Sequence, residues 1–134
     1  MDITKELDSI IAQDEQGKVG IIYQPNDEPY LAPDGTPCTM TVLGSESARV
    51  RKATEAFQRK LSRTPGKKDN IVELMRIERA AAAVIEWHGW LTGAEPAACT
   101  PENIRTVCRA QHILVQIEGY RDRHADFFES SSSS

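Results

Sequence analysis

The sequence predicts an α+β protein, with a β-hairpin or small meander near the N-terminus and a mainly α-helical remainder of about four helices. Two short runs, Val19 to Tyr23 and Cys38 to Leu43, are rich in β-branched residues or alternate with period two, as strands do. Elsewhere, apolar residues recur every three or four positions, which is the period of a helix that packs on one face.

The first helix is predicted at the N-terminus, where Asp2 can accept hydrogen bonds from the first amides. Its apolar residues have the spacing of one helical face and are Ile3, Leu7, Ile10 and Ile11. Turn-forming residues at Pro25 to Asp27 and at Pro33 to Gly35 then lie between the two predicted strands. We therefore expect these strands to pair antiparallel.

A second helix is predicted to follow Ser45 or Ser47, whose side chains can cap its first turn. Its apolar positions are Val50, Ala53, Phe57 and Leu61. A basic patch at its end is either a solvated helix end, the simpler interpretation, or a site for phosphate or an acidic partner surface. This patch contains Arg59, Lys60, Arg63, Lys67 and Lys68.

The stretch from Ser62 to Lys68 contains Pro65 and Gly66 and is predicted to end the second helix. It is the best internal boundary, between an N-terminal helix, hairpin and basic helix at 1–64 and a helical part at 65–129. We expect both parts to form one compact domain, since 134 residues suit a single core. Residues 130–134 are all serine and are predicted to be disordered.

Asn70 followed by Glu73 has the spacing of a capping box, which predicts a long helix through about Glu86. The glycines and the proline after it predict a loop. Trp87 is expected to be largely buried where this helix meets the final one, because its large apolar face can cover both.

The last helix is predicted to start at Thr100 and Pro101, a cap residue followed by proline at the first helical position. It is expected to continue as one helix through Ile117 and to end or bend at Gly119. The residues predicted for its inner face are Ile104, Val107, Cys108, Gln111, Leu114 and Val115.

Composition excludes several classes of protein. The net charge of −4 gives no electrostatic reason to expect nucleic-acid binding. The longest strongly apolar stretch, Ala80 to Ile85, is too short to cross a bilayer, and the first residues lack the pattern of a signal peptide. Three cysteines without a CxxC pair favour reduced thiols in a cytosol over disulfides or structural zinc.

The sequence contains no pattern typical of an enzyme. His88, His112 and His124 lack the neighbours of an HExxH motif, and there is no GxSxG, P-loop or GxGxxG. Cys99 and Cys108 could form a metal site with His112, but a fourth ligand is not evident. We therefore expect no catalytic residue, no metal and no cofactor.

The candidates for protein binding are aromatic. Tyr120, Phe127 and Phe128 stand beside the polar serine tail, and Trp90 lies in a loop flanked by glycines. Such side chains either pack back on the core or dock on another protein.

Four segments in the second half follow one another in a characteristic order: Val84 to Trp90, Thr100 to Asn103, the helix from Ile104 to Ile117, and Asp126 to Phe128. In this order the chain resembles the C-terminal half of the tail assembly chaperones of long-tailed bacteriophages. Those proteins have a helix that ends in a Val/Ile-x-x-Trp-x-Gly motif, here with Trp87 and Gly89, and a Thr-Pro-Glu-Asn-like helix start, here at Thr100 and Pro101. The loop from Gly93 to Cys99 is longer than in that family.

The first half is similar to small phage tail proteins that pair a hairpin with a following helix, on the residues Asp34 to Pro37 and Thr39 to Ser47. The family resemblance implies a non-catalytic protein that coats the phage tape measure protein in the host bacterial cytoplasm before the tail tube forms. It also implies contact with the tail tube protein and self-association. The alternative is a structural virion protein, such as a minor tail or head–tail connector subunit.

Overall fold

The computed structural model describes residues 2–63 and 70–122. Across these two ranges the chain forms five helices and two small antiparallel sheets, which confirms the α+β prediction with one helix more than expected. The predicted boundary around Pro65, the serine tail, and the candidate residues Phe127 and Phe128 lie outside the described residues.

The helices are α1 (Ile3–Asp14), α2 (Ala48–Arg63), α3 (Ile71–Ala83), α4 (Pro101–Val107) and α5 (Gln111–Asp122). A three-stranded sheet contains β1 (Lys18–Ile21), β2 (Thr39–Val42) and β3 (Val84–His88) in that order, and a two-stranded sheet contains β4 (Leu91–Thr92) and β5 (Glu95–Pro96). Of the helices in the described ranges, none is long and apolar enough to span a membrane.

The predicted hairpin is confirmed, since β1 and β2 pair antiparallel with Gly20 opposite Met40. Met40 and Val42 are buried, whereas Thr39 and Thr41, which point to the other face of the sheet, are only half-buried. One face of the sheet therefore belongs to the core.

The predicted long helix is wrong at its C-terminal end, because α3 stops at Ala83 and the part expected to reach Glu86 forms β3. β3 pairs antiparallel with β2 and places Trp87 opposite Met40. Val84, Ile85 and Trp87 are β-branched or aromatic, which favours a strand. Pairing with this strand satisfies the backbone groups along the second edge of β2. Trp87 is thus half-buried on a strand instead of at a helix junction. The family resemblance implies a helix at this motif, so the structure departs from the family there.

The predicted capping box at Asn70 is also wrong. Asn70 has the left-handed conformation, with φ of 63°, and its side chain makes no capping hydrogen bond. Its carbonyl still accepts the first helical bond, from the amide of Leu74. Asparagine tolerates this conformation better than most residues, so α3 starts after a left-handed residue without a side-chain cap.

The predicted last helix is divided in two, which accounts for the fifth helix. Thr100 accepts a hydrogen bond from the amide of Asn103 and Pro101 opens α4, so the predicted start is confirmed. The chain then turns at Cys108 to Ala110 before α5 begins. Gly119 lies inside α5 and does not end it.

The core joins both halves of the chain. α3 contacts α2, α4 and α5, and its buried alanines allow close approach of these helices. β3 comes from the second half and pairs with β2 from the first, so one sheet spans the predicted boundary. The buried residues of this core cluster are Ile22, Met40, Val42, Val50, Ala80, Ala81, Ala83, Val84, Ile104, Cys108, Ile113, Leu114 and Ile117.

Helix α1 is attached to the core through its C-terminal end. Asp14 is buried, and its side chain accepts a hydrogen bond from the amide of Glu46 at 2.7 Å. Glu15 accepts from the amide of Ala48, which places a negative charge at the N-terminus of α2, where it is favourable. Asp2 caps α1 as predicted.

Two ion pairs join the helices. Arg76 of α3 contacts Glu118 of α5 at 2.6 Å, and Arg105 of α4 contacts Glu78 of α3 at 2.8 Å. The hydrogen bonds from Arg76 hold the pKa of Glu118 below its ordinary value. A carboxylate with a lowered pKa adds stability above its unfolded pKa, about 4.3 for glutamate, and this stability is lost as the pH falls toward the folded pKa.

The contribution of Glu118 is therefore expected to be present at about pH 7 and reduced at about pH 3, which lies below the unfolded pKa. We expect the urea midpoint of the wild type to fall further than that of Glu118→Gln between these two conditions. The difference should stay below about 1 kcal/mol, because both side chains are partly exposed. Glu55→Gln, which removes an exposed carboxylate of α2, serves as the control and should follow the wild type. Equal falls for Glu118→Gln and the wild type would contradict the assignment.

Candidate functional site

Aromatic rings from distant parts of the chain form a cluster beside the core. The ring centroid of Trp90 lies 5.9 Å from that of Tyr30 and 5.7 Å from that of Trp87. The indole of Trp90 donates a hydrogen bond to the carbonyl of Thr39 at 3.1 Å, and the indole of Trp87 donates one to the carbonyl of Ala97 at 2.9 Å. Trp90 thus lies outside the helices and strands, as predicted, but its ring is half-buried and packs against other aromatic side chains.

Gly89 lies in the bend between Trp87 and Trp90. Its φ of 90° is rarely adopted by residues with a side chain. A Cβ atom at this position would lie 2.9 Å from both the Cβ of Ala32 and the Sγ of Cys38. Glycine is therefore required by the backbone conformation and by the close approach of the N-terminal loop.

Tyr120 also packs inward. Its hydroxyl donates a hydrogen bond to the carbonyl of Ile21 at 2.6 Å, and its ring covers Gly20 of β1. Burial raises the pKa of Tyr120. Of the two alternatives for the aromatic C-terminal segment, the structure thus favours core packing for Tyr120.

An open groove lies between the loop after β1 and helix α5. We call it the α5 groove; it has a volume of about 590 Å³ and is lined by Tyr23, Gln24, Pro25, Asp27, Gln111, His112, Val115 and Gln116. The side chain of Val115 is 55% exposed and that of Tyr23 is 38% exposed. The groove therefore offers apolar surface that the fold leaves open.

The two walls of the α5 groove are joined by one amide side chain. Gln116 accepts a hydrogen bond from the amide of Tyr23 at 2.7 Å and donates one to the carbonyl of the same residue at 2.9 Å. His112, which also lines the groove, is hydrogen-bonded to the hydroxyl of Tyr30 at 2.6 Å. These contacts fix the position of the loop relative to α5.

The sequence did not identify this groove. Val115 and Gln111 were predicted on the inner face of one long helix, and that prediction is wrong because the turn at 108–110 changes the phase of α5. Both residues are exposed as a result. The sequence pattern around Tyr23 indicates only a strand. Its hydrogen bonds with Gln116 join positions 93 residues apart, which no local pattern reports.

Asp34, Thr36 and His88 form a cluster that has the residue types of a catalytic set but not its hydrogen-bond pattern. Thr36 donates its single hydroxyl proton to Asp34 at 2.6 Å, so its oxygen can only accept from His88, at 2.7 Å. The hydrogen bonds from Thr36 also lower the pKa of Asp34. His88 thus presents a proton to Thr36 and does not act as the base that a nucleophilic hydroxyl needs.

The three residues considered for a metal site do not form one. Within 2–63 and 70–122 there is no group of three or more histidine, cysteine, aspartate or glutamate side chains placed to hold a metal ion. Cys108 is buried, and burial raises its pKa to about 12, which disfavours the thiolate that a metal requires. Burial also raises the pKa of Cys99.

Two of the apolar surfaces that the described residues leave open can contact another protein. These are the α5 groove and the face of α1 that carries Ile3, Leu7 and Ile10, which are 75%, 50% and 40% exposed. Both suit contact with another protein better than they suit chemistry on a small substrate. Comparison of the chain with protein-family models, curated proteins and solved structures found no match.

Proposed function

We propose that this protein is a non-catalytic assembly chaperone of a phage tail, which holds the tape measure protein before the tail tube forms. The observation that carries the proposal is the α5 groove, where Tyr23 and Val115 present apolar surface to solvent. The choice of client rests on the order of the motifs in the second half, from Trp87 to the segment that starts at Thr100.

An amphipathic helix is the client that the groove suits best. Such a helix places its apolar stripe in a groove and leaves its polar face in solvent. The apolar surface of the α5 groove is bordered by Gln24, Asp27 and Gln111, which can bond the polar flanks of a bound helix. A tape measure protein is long and helical, so it offers many such segments to many copies of the chaperone.

Many weak contacts along one client give high avidity, which a holdase requires. We therefore include self-association in the proposal, with the tail tube protein as a second partner and the host bacterial cytoplasm as the location. Phe127 and Phe128 remain proposed contact residues for the client.

The proposal is tested by co-expression with the tape measure protein. We expect the wild type to keep the client soluble and to co-purify with it, and Val115→Asp to reduce the co-purified client by more than about tenfold, which corresponds to about 1.4 kcal/mol. Val72→Asp is the matched control, because Val72 is 75% exposed on α3 and does not line the groove. It should behave as the wild type.

Client capture by Val115→Asp at the wild-type level would contradict the groove assignment. The finished particles give the second measurement, because a chaperone is absent from them. Recovery of the protein in purified phage particles would instead favour a structural subunit of the tail or of the head–tail connector.

A further inference from the structure

We propose that the exposed face of α1 binds a groove between α2, α3 and α4 of a second copy, so that copies join head to tail. We call this second groove the α2 groove. The inference rests on the self-association included in the proposed function and deepens it, because it names the two surfaces that form the contact, in which no client takes part.

Helix α1 has the features of a helix that binds in a groove. Ile3, Leu7 and Ile10 follow the i, i+4, i+7 spacing that such helices use for their anchoring side chains. These three side chains are 75%, 50% and 40% exposed, although the C-terminal end of the same helix is buried at Asp14. An apolar stripe of about two turns is thus left open at the N-terminal end of α1.

The α2 groove consists of two adjoining hollows of about 310 and 170 Å³, which share Ala53, Glu78 and Arg105. The other lining residues are Arg49, Ala56, Phe57, Lys60, Leu74, Ala81, Ala82 and Pro101. Small alanine side chains leave room between the helices, and Leu74, at 49% exposed, adds apolar surface. The groove can therefore receive aliphatic side chains such as those of α1.

The charges of the two surfaces are complementary. The first turns of α1 contain the acidic residues Asp2, Glu6 and Asp8 against the single base Lys5. Helix α2 has six basic residues and one acidic residue. The one acidic residue that lines the groove, Glu78, is paired with Arg105 at 2.8 Å. An acidic amphipathic helix is thus the occupant that this basic groove favours.

The contact uses two different surfaces of the same chain. A copy bound through its α1 still has an open α2 groove, and a copy bound through its groove still has a free α1. Contacts of this kind repeat, and they produce rings where the rotation closes and open chains where it does not. The assembly should also weaken as salt is added, because screening reduces the attraction between the exposed charges.

The first test is sedimentation velocity of the full chain over a range of concentrations. We expect the apparent mass of the wild type to rise with concentration, and Leu7→Asp to weaken association by more than about tenfold. Ser9→Asp adds the same charge on the opposite side of α1 and is the matched control, which should associate as the wild type does. Ile3→Asp provides a second variant at a position that is 75% exposed.

The second test is a mixing experiment. Leu7→Asp retains the α2 groove, whereas Ala56→Glu retains α1 and places an acidic side chain in the groove at an exposed position. Each variant alone should be monomeric, and an equimolar mixture should form a one-to-one dimer without larger species. Circular dichroism of each variant verifies the fold.

Three outcomes would overturn the inference. These are a wild type that stays monomeric at all concentrations, equal effects of Leu7→Asp and Ser9→Asp, and a mixture of the two folded variants that stays monomeric. The measurements contain no client. Failure of the assembly thus leaves the client-binding part of the proposed function standing, and client capture by Val115→Asp at the wild-type level, which contradicts the α5 groove, leaves the assembly standing.

Discussion

Replacing Trp90 with alanine is expected to lower the free energy of unfolding by about 3 kcal/mol, the lower end of the range for large aromatic residues, because the side chain is only half-buried. The substitution removes the ring that packs between Tyr30 and Trp87. It also leaves the carbonyl of Thr39 without the hydrogen bond from the indole. Urea unfolding followed by circular dichroism measures the effect.

Trp90→Phe separates the two contributions. It keeps an aromatic ring and removes the N–H donor, so its cost should be smaller and close to that of one hydrogen bond, about 1 kcal/mol. If Trp90→Ala leaves the urea midpoint unchanged and abolishes client capture, Trp90 is a binding residue, as its place in the sequence suggested. If Trp90→Ala lowers the stability while its folded fraction still captures the client, the side chain of Trp90 serves the fold and not client binding.

Features that depend on neighbouring residues could be predicted from the sequence. Asp2 caps α1 and Thr100 with Pro101 starts α4, because a cap needs only the next three amides. The hairpin of β1 and β2 was also predicted, since its two strands and the turn residues lie in one short stretch. The fold class followed from these local signals.

Features decided by distant partners could not be predicted. An alanine-rich helix continues easily through Val84 when only local preferences count, yet β2, more than forty positions earlier, provides a strand to pair with. The turn at 108–110 has no glycine or proline to mark it. It allows Ile104 of α4 and Leu114 of α5 to reach the same core from two directions.

Distant partners also decide the orientation of the aromatic residues proposed for binding. Trp90 bonds to a carbonyl 51 residues away, and Tyr120 bonds to one 99 residues away. Each one fixes the N-terminal strands to the second half of the chain. A sequence pattern reports that an aromatic residue is near a loop or a terminus, but its partner decides whether it faces solvent. In the α5 groove, the exposed apolar side chains are instead those of Tyr23 and Val115.

Gly20→Ala is expected to destabilise the protein by about 2 kcal/mol through a single contact with Tyr120. A Cβ atom on residue 20 would lie 2.6 Å from the Cε2 and Cζ atoms of the tyrosine ring. The ring cannot swing away without losing the hydrogen bond from its hydroxyl to the carbonyl of Ile21. Gly119→Ala is the matched control: nothing lies within 4 Å of its Cβ position, so it should stabilise α5 by about 0.5 to 1 kcal/mol.

A double-mutant cycle identifies the contact. Tyr120→Ala alone should cost about 3 kcal/mol, because it removes a large packed ring and its hydrogen bond. In that background the methyl group of Gly20→Ala meets no ring, so the second substitution should be neutral or slightly stabilising. The resulting coupling of about 2 kcal/mol between positions 20 and 120 would be well above the value for independent sites. Additive costs at the two positions would show that Tyr120 does not pack on β1, and the residue would return to the surface available for client binding.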